Sequence, residues 1–317
     1  MSGEGKRKYG GGASHLFQDK SMQNPTRRQA LALLAATSIH ARPSAARLSV
    51  EGYIFQQYAA REKKKLGDVL AEVFTMARTA AFHNIEINHA FFAAELHERT
   101  LALLHAQQWK MPSVYVGGAM HTKEAAEATT ARALNIARTC QPFGCVAVVN
   151  NPDPKPDAAQ KTAAELTFQA KALNTLGRFL KDDGLELRVH HHTPELVDNA
   201  REWRHILHNT DPAYVALCLD LDWVHQGGLQ PLDLLREAGS RVHELHLRNA
   251  KDKLWLEDLE EGDIDYPEIA AYLKQQSLKP LLVVELAYRD NTVVTRPLTD
   301  DLRLSRLYAE KVFGVHA

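Results

Sequence analysis

The run Leu185-Glu186-Leu187-Arg188-Val189-His190-His191-His192-Thr193 alternates apolar and polar residues and ends in three histidines. Imidazoles bind divalent metals and move protons near neutral pH. On a strand, alternate side chains share a face. Leu185, Leu187, Val189 and His191 therefore point one way, and Glu186, Arg188, His190 and His192 the other. Later apolar runs end in ionisable residues too. Cys218, Asp220 and Asp222 share the face opposite Leu217, Leu219 and Leu221. Glu244, His246 and Arg248 oppose Leu245 and Leu247, with His243 on the leucine side. Glu285 closes the strand that carries Leu281 and Val283, and a buried carboxylate there needs a partner, usually a cation. One inward residue from each stretch gives His190, Asp220 or Asp222, His246 and Glu285. Two imidazoles and two carboxylates suit Mn²⁺, Zn²⁺, Fe²⁺ or Co²⁺ better than Mg²⁺ or Ca²⁺.

Such residues need a scaffold that brings strand ends to one place. Short apolar runs alternate with helical patterns from residue 47 onward. Strands are predicted at Leu48 to Phe55, Asn84 to Ile87, Ser113 to Val116, Cys145 to Val149, Leu185 to the histidines, Tyr214 to Asp220, His243 to Arg248 and Pro280 to Leu286. Helices are predicted over Leu66 to Ala81, Phe91 to Gln107, Lys123 to Arg138, Ala158 to Leu180 and Asp300 to Phe313. Strands alternating with helices imply a parallel sheet, and eight of them imply closure. The fold class is therefore α/β, a (β/α)8 TIM barrel, in which chemistry sits at the carboxyl ends of the strands. Residues 47–317 are close to the roughly 250 typical of that fold. No internal repeat or Gly/Ser linker divides them, so a single domain is expected.

Residues 1–46 read differently. Met1 to Ser21 is rich in Gly, Ser and Lys with no hydrophobic periodicity, as in a disordered extension. Arg27-Arg28, the weakly apolar Ala30 to Ala36 and Ser44-Ala45-Ala46 match a Tat-type export signal. A periplasmic or exported location is the expectation, with a cytoplasmic one if the signal reading fails. A net charge of −1 and a pI near 7 give no support for a nucleic-acid partner. No apolar run is long enough to span a bilayer. The three cysteines are odd in number and lack zinc-finger spacing, which points to buried thiols.

Several segments resemble the xylose-isomerase-like TIM barrels, the sugar phosphate isomerase/epimerase and inosose dehydratase group. Phe82-His83-Asn84-Ile85-Glu86 is similar to G-[FY]-x-x-[VI]-E, and Val189 to Glu195 to Y-H-N-H-x-x-E. Leu219-Asp220-Leu221-Asp222-Trp223-Val224 with Gly227-Gly228 and Pro231 resembles L-D-x-x-W-V…G-G-x-x-P. His246-Leu247-Arg248-Asn249 resembles H-L-[KR]-[DN], Glu261 to Tyr266 resembles G-x-G-D-I-D-Y, and Val283-Val284-Glu285 the terminal V-V-E. The resemblance implies a divalent metal on His190, Asp220, His246 and Glu285, choosing Asp220 over Asp222. It also implies that Glu86, His192, Glu195, Trp223 and Arg248 contact substrate or orient ligands. In epimerases of the group the fifth-strand ligand is a glutamate that works with the last-strand glutamate as a two-sided proton shuttle. Here that position is His190.

The expected activity is a metal-dependent sugar isomerase or epimerase acting through an enediolate, with Glu285 as base and His192 as proton donor or relay. A lyase on a keto-sugar, dehydratase or 3-keto-glycoside eliminase, is the alternative. One carboxylate with an imidazole suits isomerisation or elimination better than epimerisation. A non-catalytic sugar-binding barrel is the reading from another class. An apurinic endonuclease would want more metal ligands and a basic groove. The expected partner is a small sugar, with homo-oligomerisation left open. His225 reads as a loop histidine, Gly227-Gly228 as a turn, and Gln57 and Tyr58 as candidates for the pocket wall from strand one.

Overall fold

The computed structural model describes residues 48–156, 158–260, 262–289 and 292–317. The stretch read as an export signal lies outside the described residues. Eight parallel strands make a nearly closed barrel: β1 (Leu48–Glu51), β2 (Ile85–Glu86), β3 (Ser113–Tyr115), β4 (Ala147–Asn150), β5 (Glu186–Val189), β6 (Val215–Asp220), β7 (Val242–Leu247) and, after a small hairpin, β10 (Leu281–Val284). The sheet runs β2-β1-β10-β7-β6-β5-β4-β3. Isolated bridges Asn84–Lys110 and Asn88–Tyr115 join its two edges.

The helices are α1 (Tyr53–Arg61), α2 (Leu66–Thr79), α3 (His97–Ala106), α4 (Lys123–Cys140), α5 (Ala163–Asp182), α6 (Thr193–Asn209), α7 (Leu221–Gln226), α8 (Pro231–Ala238), α9 (Tyr266–Gln275) and α10 (Leu298–Phe313). Their starts follow local chemistry. Thr162 accepts from the Glu165 amide while Glu165 accepts from the Thr162 amide, a capping box at the head of α5. Asp265 caps α9 by accepting from the Glu268 amide, with Pro267 in the first turn. Leu166, Leu173, Leu176 and Leu180 form the buried stripe of α5. Gly177 lies in that stripe because a Cβ there would sit 2.2 Å from the Tyr214 carbonyl oxygen. All three cysteines are free and buried.

Two local expectations are corrected. The first strand stops at Glu51, because Gly52 turns the chain against Ile87 and Phe91 and α1 begins at Tyr53. Gln57 and Tyr58 therefore sit on a helix. The Gln57 amide brackets the Tyr288 backbone and the Tyr58 hydroxyl donates to Glu72, so neither lines the pocket. The second concerns His243. The β6–β7 register jumps from Leu217↔Val242 to Cys218↔Glu244, leaving His243 as an extra, bulged residue. It does not pack under the helices with the leucines but pairs with Glu186 at 3.2 Å, half-exposed. An antiparallel hairpin, β8 (Ala250–Lys251) and β9 (Leu254–Trp255), follows β7 and has no counterpart in the sequence reading.

Candidate functional site

Strand pleat and register bring the chemistry together at the carboxyl ends of β5, β6, β7 and β10. His190 follows β5, Asp220 ends β6, His246 lies on β7 and Glu285 follows β10. One ligand atom from each of the four lies within 4.8 Å of every other, and all four residues are buried. Donors about 2.0–2.2 Å from a shared ion stand roughly 3.3–3.6 Å apart in a tetrahedral site, so four atoms gathered within 4.8 Å form a possible metal-binding cluster. His190 Nε2 is 3.7 Å from Asp220 Oδ2 and has no hydrogen-bond partner among the described residues, as expected of a nitrogen kept for a ligand. The donor chemistry and this orphaned atom both fit a divalent cation.

The surroundings hold the cluster in place. His246 Nδ1 lies 2.7 Å from Glu285 Oε2, and its Nε2 lies 3.0 Å from Glu86 Oε1, off the line of an aligned hydrogen bond. Arg248 donates to Asp220 Oδ2, Asp222 Oδ2 and Glu285 Oε1, each at 3.2 Å. Its guanidinium sits 5.0 Å from the Trp223 ring centre and 4.4 Å from that of Trp255. Asp222 is thus not a cluster ligand but an anchor, accepting also from Trp255 Nε1 at 2.7 Å. Beneath, Glu244 accepts from Ser113 and from Arg188 at 2.7 Å, and with Cys218 and His246 it forms a second close group.

Electrostatics separate the groups. Burial opposes charge on Glu285, but Arg248 and then His246 outweigh it and hold that carboxyl down at about 2. Burial pushes Asp220 up to about 8 against the pull of Arg248. Burial and Glu244 push Glu86 up to about 7. Burial, His246 and His192 hold His190 far below the usual imidazole range. Burial lowers His192 to about 4, against the pull of Glu285.

A cavity of about 270 Å³ opens over the cluster, lined by Glu51, Tyr53, Asn88, Tyr115, His190, His192, Trp223, Arg248, Trp255 and Glu285. Of the residues expected at the site, His190, His192, Trp223, Arg248 and Glu285 line it, while Asp220 and His246 are fully buried and do not. Glu86 and Glu195 do not reach it. Glu86 is fully buried behind His246. Glu195 is buried beneath the His192 turn and accepts from the His192 amide at 2.8 Å. His191 packs away from the cavity, its Nε2 accepting from the Asp220 amide at 3.3 Å, with Trp203 edge-on to its ring. His225 lies on α7, 3.6 Å from Asp263.

Glu51, Tyr53, Asn88, Tyr115 and Trp255 were not identified from the sequence. The alternation of Leu48 and Val50 with Ser49 and Glu51 carries for Glu51 the same parity signal that found the others. Trp255 carries none, because the hairpin is set by contacts made at a distance.

The family model described as xylose isomerase-like TIM barrel matches residues 74–307. Inosose dehydratase of Mesomycoplasma hyopneumoniae (strain 7448) is 29% identical over 143 residues, 39% of this chain and 48% of that protein. The match thus spans about half the length of this curated relative. Among solved structures, a sugar phosphate isomerase/epimerase from Parabacteroides distasonis ATCC 8503 superposes with a TM-score of 0.66 at 14% identity, covering 87% of this chain and 97% of that one. An L-ribulose 3-epimerase gives 0.64 at 14%, covering 85% and 95%.

Proposed function

This chain belongs to the xylose isomerase-like TIM barrel family, and on that premise we propose a metal-dependent sugar lyase. It would remove the proton next to a keto-sugar carbonyl and expel the neighbouring hydroxyl as water. Sugar isomerases, epimerases and dehydratases are the activities the family supports. One observation argues against epimerisation. Glu285 is an ionised carboxylate on the cavity wall, while β5 offers the cavity only imidazoles, His190 and His192. Epimerisation needs a base on each face of the reacting carbon, and that second base is missing from β5. The inosose dehydratase relative supports elimination.

His190, Asp220, His246 and Glu285 would hold the ion. When bound, it supplies Lewis acidity that polarises the carbonyl and lowers the cost of the enolate. The protein's own residues do the rest. Glu285, held ionised by Arg248, accepts the carbon-bound proton. Arg248 fixes Asp220, Asp222 and Glu285 through its three-way fork, and the two tryptophans packed beside it keep the fork from swinging away. His192, neutral at physiological pH, donates a hydrogen bond to a substrate oxygen rather than a full proton. Trp223, edge-on to the His192 ring at 5.2 Å, narrows the same wall.

The test is turnover of a keto-sugar panel that includes inosose, by Mn²⁺-loaded protein in D₂O. Water loss is expected, together with deuterium exchange at the carbon beside the carbonyl, and His246→Ala should abolish both. Deuterium recovered in an isomer would favour the isomerase reading. Deuterium recovered in an epimer would refute the one-sided arrangement.

A further inference from the structure

The proposed elimination needs a proton for the departing hydroxyl, and the ladder beside Glu285 offers a second carboxyl. Strands β1 and β10 pair in register as Leu48↔Leu282, Ser49↔Val283 and Val50↔Val284. The next step sets Glu51 beside Glu285, on neighbouring strands about 4.8 Å apart. Glu51 also pairs in register with Glu86 on its other side. Of these three adjacent carboxyls only Glu51 and Glu285 line the cavity. Glu51 is 3% exposed, and its Oε2 accepts from the Tyr53 amide at the first turn of α1. That bond ties one oxygen to the backbone. Glu51 is outside the metal-binding cluster.

We propose that Glu51 is a further catalytic residue, the acid that protonates the leaving hydroxyl. The inference rests on the lyase reading above. Glu285 first takes the hydrogen from the carbon beside the carbonyl, and the C–H electron pair is held as the enolate. The enolate then re-forms the carbonyl as its electron pair becomes the new C=C bond. The adjacent C–O bond breaks, and its oxygen takes the Glu51 proton and leaves as water. Glu285 ends protonated and Glu51 ionised, and the proton passes back between these neighbours to restore both. Because both groups stand on one wall, hydrogen and hydroxyl depart from the same face of the sugar.

Glu51→Gln in Mn²⁺-loaded protein tests this, with inosose and its analogue carrying fluorine in place of the departing hydroxyl as probes. Fluoride leaves as an anion and needs no proton. Dehydration of inosose should fall by about 10²- to 10⁴-fold, the usual contribution of a general acid. Fluoride release and deuterium exchange beside the carbonyl should persist, and Mn²⁺ affinity should be unchanged. Retained exchange shows that the variant is folded and that Glu285 works. If fluoride release falls as far as dehydration, if Mn²⁺ binding is lost, or if dehydration is unaffected, the assignment to Glu51 is wrong. If wild-type protein itself exchanges deuterium without losing water, the lyase reading fails and the role of Glu51 with it.

Discussion

Arg248 has three carboxylates within reach and two indoles, their ring centres 5.5 Å apart, packed beside its guanidinium. A planar fork with several fixed donors can serve three acceptors at once, which the single ammonium of a lysine cannot. Glu195 shows a different use of a buried carboxyl. It holds the His192 turn from below, and burial and the nearby Glu202 push it up to about 7. Between its ordinary value near 4.5 and about 7, the folded chain keeps a proton that the unfolded chain has released. The protonated form's stabilising contribution is therefore complete at pH 4, falls as pH rises through that window and levels off above it. The loss amounts to roughly 3 kcal/mol. Glu195→Gln keeps an acceptor for the His192 amide and removes the titration. Thermal melts should show the variant gaining stability over wild type at pH 8 and not at pH 4. At this scale the sequence was informative wherever an ionisable residue stood at an inward position near a strand's end, as for His190, His246 and Glu285. The exact use of Glu86 and Glu195 was not legible, because a carboxyl that supports a ligand and one that touches substrate present the same letter.

Parity served the elements well where the pleat was regular, and failed at the bulge that displaces His243. One extra residue on one strand reverses the faces that follow or precede it, and its position depends on the neighbouring strand. Strand one failed for another reason. Ile54 and Phe55 continue its apolar run, yet they belong to the buried face of α1. Short apolar runs do not by themselves separate strand from buried helix. The helices also carry constraints that only packing reveals. Gly177 permits α5 to approach the Tyr214 backbone, and backbone cannot move aside as a side-chain tip can. Gly177→Ala should destabilise the protein by about 1–3 kcal/mol as an overpacking change, despite the higher helix propensity of alanine. A lowered melting temperature with unchanged helical content would show it, and a gain in stability would contradict the contact.

Across the whole molecule, the barrel gathers Glu51, Glu86, Asp220, Asp222, Glu244 and Glu285 around Arg188 and Arg248, all buried. Such an acidic interior favours a bound divalent cation. Chelation of the proposed metal should lower the melting temperature, and Mn²⁺ at one hundred times its Kd should restore about 2.7 kcal/mol. That corresponds to a rise of roughly 5–10 °C in a domain of this size. Differential scanning calorimetry with and without chelator checks this, and His246→Ala should show no response to Mn²⁺. The sequence by itself determined the alternation of strands and helices, their number and, by parity, the inward residues His190, Asp220 or Asp222, His246 and Glu285. These are consequences of local periodicity, which survives in a one-dimensional string. The tertiary structure alone decided that Glu51 stands beside Glu285, that Trp255 returns on a hairpin to cover Arg248, and that Glu86 lies behind His246 rather than in the cavity. Those relations join residues far apart in the chain, and only closure of the barrel, with its register and twist, brings them within reach.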